Sequence, residues 1–244
     1  SADGRYVVFE SYATNLVSND TNGTGDVFIK DLQTGAVRRV STDATGAQGN
    51  AFSGFAHISA DGRYVVFESG SGNFVAGDTN GTLDIFVKDL QTGAVTIVSS
   101  NEAGVQAADD SYDAHFSQDG RFVTFYSDAS NLVSGDTNAS PDVFVKDLQT
   151  GAIACASTET NGALGTSQSV NPEISGDGRY VVFESDAINL AANGTKWRDV
   201  FVKDLQTGSI DCVSTSADGT PGDSSSGSAN ISSDGRFVVF RSAA

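Results

Sequence analysis

The chain is poor in several residue types: no methionine, one tryptophan, two histidines, two cysteines and three prolines in 244 residues. Two cysteines cannot staple a disulfide scaffold, so the fold has to rest on a hydrophobic core. Cys155 and Cys212 each follow the Asp of a KDLQTG segment by eight residues. Corresponding positions on different units are not expected to meet the few-ångström geometry of a disulfide, so two free thiols are expected. Basic residues are also scarce: 14 Lys and Arg stand against 31 Asp and Glu, a formal charge of -17. Such a surface repels phosphate backbones and attracts cations, which argues against nucleic acid as a partner. No apolar run approaches the roughly 18 residues that span a bilayer, and the sequence opens at SADGRYVVFES without a charged-then-apolar leader. Membrane insertion is therefore not expected. No window carries a 3.6-residue apolar period, and Gly and Ser punctuate every segment, which argues against helices.

What the chain has in quantity is repetition. Asp-Gly-Arg recurs at Asp3, Asp61, Asp119, Asp177 and Asp234, at spacings of 58, 58, 58 and 57. From each loop-final acid (Asp26, Asp84, Asp142, Asp199) to the next such triplet the distance is always 35, so the single deletion lies between Asp177 and Asp199. Four short strands are expected per unit: a stub such as 56–59, then RYVVFES at 63–69, DIFVKD at 84–89 and AVTIVS at 94–99. Short Gly-containing turns join the first to the second and the third to the fourth. In RYVVFES the residues Tyr64, Val65, Val66 and Phe67 are apolar on both faces of the pleat, so the strand must be covered on both sides. A blade between two other blades meets that demand. The expected fold is an all-β β-propeller of four-stranded antiparallel blades, four repeats plus an extra terminal strand pair. It forms one domain over 1–244, with units near 1–55, 56–113, 114–171 and 172–228 and a partial unit at 229–244.

The pattern IS-x-DGR-[YF]-V-x-F-x-S followed by DVFVKDLQTG resembles the TolB-like, WD40-like bacterial β-propeller repeat, in its long form with a DTNG loop. The resemblance covers the whole chain, and it implies a propeller more strongly than any one function. Ordinary blades take about 40 to 50 residues, so the surplus is expected in loops. Alternating strands put both tight hairpins on one face and both long connections on the other, where function is expected.

Those long loops carry nearly the D-x-[DN]-x-[DN]-G pattern of calcium sites, in which alternate side chains and a backbone carbonyl supply hard oxygens. The candidate metal ligands are Asp20, Asn22, Thr24 and Asp26; Asp78, Asn80, Thr82 and Asp84; and Asp136, Asn138, Ser140 and Asp142. The competing reading is plain Asx-turn chemistry. In the fourth loop the first acid is gone and Lys196 and Arg198 enter, so a built-in cation is expected to replace the metal there. Structural Ca2+ of modest affinity implies an extracellular or periplasmic protein. Asn22, Asn80, Asn138 and Asn193 also fit the glycosylation pattern, a coincidence copied with the repeat.

Elsewhere, His57, His115, Glu173 and Asn230 share the stub position and are expected to line the axis. Trp197 is expected to plug the shortened loop, and Phe74 and Trp197 are the aromatics expected on the loop face. No G-x-S-x-G elbow or triad can be named. The reading is a non-enzymatic binding or structural scaffold, possessing a surplus strand, RFVVFRS, through which copies could self-associate by strand exchange. A propeller hydrolase or lyase, or a lectin for a glycan, is the alternative; a protein ligand is equally open.

Overall fold

A computed structural model describes residues 1–191 and 195–244. The first sheet holds β1 (Tyr6–Ser11), β2 (Asp26–Asp31) and β3 (Val37–Arg39). The second holds β4 (Ser53–Ile58), β5 (Tyr64–Ser69), β6 (Asp84–Asp89) and β7 (Val95–Ile97). The third holds β8 (Ser111–Phe116), β9 (Phe122–Ser127), β10 (Asp142–Asp147) and β11 (Ile153–Cys155), and the fourth β12 (Ser169–Ile174), β13 (Tyr180–Ser185), β14 (Asp199–Asp204) and β15 (Ile210–Cys212). A last pair, β16 (Ser226–Ile231) and β17 (Val238–Ser242), stands alone. All pairings are antiparallel between chain neighbours, and no helix occurs among the described residues.

The hairpins follow from their turn residues. In the second blade Ser59 Oγ donates to Asp61 at 2.6 Å, Arg63 N to Asp61 at 2.9 Å and Tyr64 N to Ser59 Oγ at 2.9 Å, around Gly62 at φ +73. Arg63 then crosses to Asp89 at 2.8 Å, tying the two tight hairpins together. Asp89 also accepts Gln91 N and Thr92 N, and the guanidinium beside it holds its carboxyl well below the usual carboxylate range.

Packing is divided into slabs between consecutive blades rather than gathered in one centre. Val27, Ile29 and Val40 of the first blade meet Val65, Phe67 and Phe86 of the second, and Val66, Ile85 and Val87 meet Ala114, Val123, Phe125 and Phe144 of the third. The doubly apolar RYVVFES strand is thus covered on both faces, as its composition demands. Each slab is also pinned by a buried lysine that reaches back to carbonyls of the preceding blade: Lys88 to Thr42 and Asp43, Lys146 to Ser100 and Asn101, Lys203 to Thr158 and Glu159, at 2.7–3.2 Å. Lys30, the counterpart in the first blade, is exposed.

Two expectations shift. The inner strand begins earlier than the stub 56–59, at Ser53, because a bulge at residues 55 and 56, which shifts the register with β5 by one residue, lets the strand pair on both sides of it. The outer strand is shorter than 94–99, three residues: Val98 N still donates to the Ile85 carbonyl of β6, and the chain then turns, Ser100 N donating back to the Val98 carbonyl. The terminal strand pair expected from the sequence is present, β16 with β17, and among the described residues β1 has only β2 beside it.

Candidate cation sites on the loop face

Each long loop returns to its own blade through the acid that opens the third strand. Asp26, Asp84, Asp142 and Asp199 are buried, and each accepts a serine hydroxyl from the outer strand's exit (Ser41, Ser99, Ser157, Ser214) at 2.5–2.8 Å. These acids anchor the loop whatever else they bind. The second carboxylate oxygen is where the units diverge.

In the first unit a guanidinium stands at this point. Arg39 Nε lies 3.4 Å from Asp26 and Nη2 3.3 Å from Asp20, with side chains 8%, 0% and 3% exposed. Gln48 adds bonds to Asp20 at 2.9 Å and Asp26 at 3.1 Å. The position of Arg39 is Ile97 in the second unit, Cys155 in the third and Cys212 in the fourth. Asp78 and Asp84, and Asp136 and Asp142, therefore face each other without that cation. Burial pushes Asp84 and Asp142 up to about 6, and raises Asp78 and Asp136 as well. Asp84 and Asp142 are buried and Asp78 and Asp136 half-buried, and a desolvated carboxylate without a counter-charge is costly.

The asparagines act differently from the simple calcium pattern. Asn22, Asn80 and Asn138 each accept the N–H two residues on, from Thr24, Thr82 and Ser140, at 3.1–3.3 Å, which is the Asx turn. Their amides donate to Asp26, Asp84 and Asp142 at 2.8–3.2 Å and to a carbonyl of the following linker. Both oxygens of Asp84 and of Asp142 thus already accept a hydrogen bond, whereas the buried hydroxyls of Thr24 and Thr82 have no partner. Ser140 Oγ bonds to Asn138 O. No group of three or more His, Cys, Asp and Glu donors converges on one point among the described residues. The same amide bonds occupy Asn22, Asn80 and Asn138 against glycosylation; Asn193 lies outside the described residues.

The fourth loop corrects one expectation. Arg198 does not take over beside Asp199: it pairs with Asp186 at 3.0 Å and Glu184 at 3.6 Å, while Thr195 Oγ1 donates to Asp199 at 2.7 Å. Arg198 is drawn inward because two acids of its own blade stand closer than Asp199. Lys196 lies over the Trp197 ring, which is 39% exposed. The built-in cation of this fold is Arg39, which sequence reasoning missed; the outer-strand series Arg39, Ile97, Cys155, Cys212 was its visible signal. Phe74 is also corrected: it is buried against Phe67 and Phe86, not displayed on the loop face.

The inner strands do bring the four predicted axial residues into one row. The rings of His57 and His115 lie 4.0 Å apart, His115 Nδ1 is 3.4 Å from Glu173 and Nε2 3.3 Å from Asp113, and Asn230 donates to Glu173 at 3.3 Å. Burial holds His57 down at about 4, whereas Asp113 and Glu173 outweigh burial and raise His115. Cys155 and Cys212 are free thiols, half-buried beside Ser157 and Ser214.

No protein-family model matches the sequence, and no curated protein matches it. Solved structures do. TolB from Acinetobacter baumannii aligns at a TM-score of 0.53 and 20% identity over 99% of this chain, which spans 52% of that one. A TolB structure from Agrobacterium tumefaciens aligns at 0.56 and 16% identity over 98% of this chain and 71% of its own. An acylaminoacyl peptidase aligns at 0.50 and 14% identity over 86% of this chain and 31% of its own. The chain thus spans about half the length of the first of these, and its fold is that of the TolB-like β-propellers.

Proposed function

We propose that this propeller works as an extracytoplasmic scaffold whose loop face is fastened by calcium in the second and third units. The observation that carries the reading is Arg39 between Asp20 and Asp26: the first unit supplies from its own chain the positive charge that Ile97 and Cys155 cannot. A divalent cation between Asp78 and Asp84, and between Asp136 and Asp142, meets the same electrostatic need with hard oxygen donors. With two carboxylates and otherwise neutral donors per site, the affinity falls in the millimolar class of extracellular modules, so the sites fill outside the cytoplasm. Likeness to periplasm-associated TolB architecture is in keeping with that location. The role in this reading is binding and support, with the buried acids anchoring the loops and holding the cation.

Calcium titration by calorimetry, with thermal melting in calcium and in chelator, tests this. The expected result is two sites and a raised melting temperature, with Asp78→Asn and Asp136→Asn each deleting one site. Equal melting temperatures in both conditions would refute the calcium reading.

A further inference from the structure

At the loop-side end of the inner strands one patch breaks the repeat. Tyr12, Phe52 and Phe55 occupy positions that hold Gly70, Asp110 and Asp113 in the second unit, Asp128, Gln168 and Asn171 in the third, and Asp186, Ser225 and Ser228 in the fourth. Tyr12 and Phe55 are 66% and 61% exposed. Phe52 links them: its ring lies 6.3 Å from Tyr12 at 28° and 6.3 Å from Phe55 at 68°, so the three form a corner of two exposed aromatic groups.

The corner is built. Gly25 and Gly54 line it, where later units hold Leu83, Pro141 and Arg198, and Tyr112, Val170 and Gly227. A Cβ at Gly25 would sit 3.0 Å from the rings of Phe52 and Tyr12, and one at Gly54 would collide with the Phe52 ring and the Glu10 carboxylate. Phe55 also holds a positive φ of 49, in the bulge where Asp113, Asn171 and Ser228 hold 53 or 54. Asp and Asn tolerate that left-handed conformation, whereas for a bulky side chain it is an outlier. A strained phenylalanine left mostly facing water gains only its edge contact with Phe52 in folding, and strain of this kind gathers where residues contact ligands.

We propose that this corner is a glycan platform, on which a neutral pyranose chain lies across Tyr12 and Phe55 with its hydroxyls donating to Glu10. The chemistry of the surround selects that occupant. Exposed Glu10 offers acceptors only, so the ligand must be rich in donors, and its charge repels acidic polysaccharides. The exposed rings ask for a flat, weakly polar C–H face. A sugar ring supplies both without carrying charge.

Calorimetry of the 244-residue chain with cellohexaose and with N-acetylated chitohexaose is the test, with polygalacturonate as the acidic control and a tetra-arginine peptide as the rival class. The expected result is saturable binding of at least one neutral glycan, weakened about tenfold by Tyr12→Ala, by Phe55→Asn and by Glu10→Gln. Phe55→Asn should at the same time raise the melting temperature, because it removes the backbone strain, and should leave the calcium-dependent shift unchanged. Failure of both glycans to bind at millimolar concentration, binding of the arginine peptide instead, or affinity indifferent to the three variants would each overturn the proposal. A drop in melting temperature for Phe55→Asn would also overturn it, by making Phe55 a packing residue.

Discussion

Replacing Arg39 by isoleucine, the residue the second unit carries at Ile97, turns the first loop into a copy of the second. Asp20 and Asp26 are almost wholly buried, and the guanidinium lies 3.3 and 3.4 Å from them. Removing one partner from a buried ionic group costs roughly 3 to 5 kcal/mol, because the remaining charges stay desolvated. Gln48 and Asn22 still donate to the acids, so the low end, about 3 kcal/mol, is expected. In a domain of this size that lowers the melting temperature by about 6 to 12 °C in chelator. Calcium should then restore most of it, since a ligand at about 100 times its dissociation constant contributes roughly 2.7 kcal/mol. Differential scanning calorimetry of R39I and wild type, each with chelator and with excess calcium, reads both effects. The reverse swap, Ile97→Arg, should make the second loop indifferent to calcium. If R39I melts like wild type in chelator, or gains no calcium response beyond that of wild type, a cation is not what these acid pairs require.

Other outcomes follow from the same geometry. In chelator, stability should fall as pH rises from about 4 to about 6: Asp84 and Asp142 titrate near 6 when folded and near 3.8 when unfolded, so the folded state holds their protons more tightly and loses that advantage as they ionise. A shift of about two units corresponds to roughly 3 kcal/mol per carboxylate, and denaturant midpoints across this range in saturating calcium should be much flatter. Glu68, pushed up to about 7 by burial, adds a slope of the same sign up to that pH that calcium does not remove. Lys146→Met keeps the aliphatic stem but leaves the Ser100 and Asn101 carbonyls unpaired, for an expected loss of about 1 to 3 kcal/mol by urea unfolding, whereas Lys30→Met should be near neutral.

The repeat length, the number and order of strands and the division into blades were legible in the sequence, because they depend on local spacing: an Asp-Gly turn, a doubly apolar strand and a KDLQTG turn recur at fixed intervals and each acts on its neighbours along the chain. The side on which the long loops gather followed from strand alternation, and the axial row of His57, His115, Glu173 and Asn230 followed from its place in the repeat. Tertiary structure decided the rest. Arg39 meets Asp20 only because the outer strand folds back beneath its own loop, nineteen residues away in sequence, and Arg198 turns from Asp199 toward Asp186 because those acids stand nearer in space. Phe74 is buried while Phe55 is exposed, although both lie in short glycine-containing stretches, since exposure depends on what folding places over each one. Repetition along a chain fixes what every unit has in common; the charges and rings that differ between units acquire meaning only from the partners that folding places beside them.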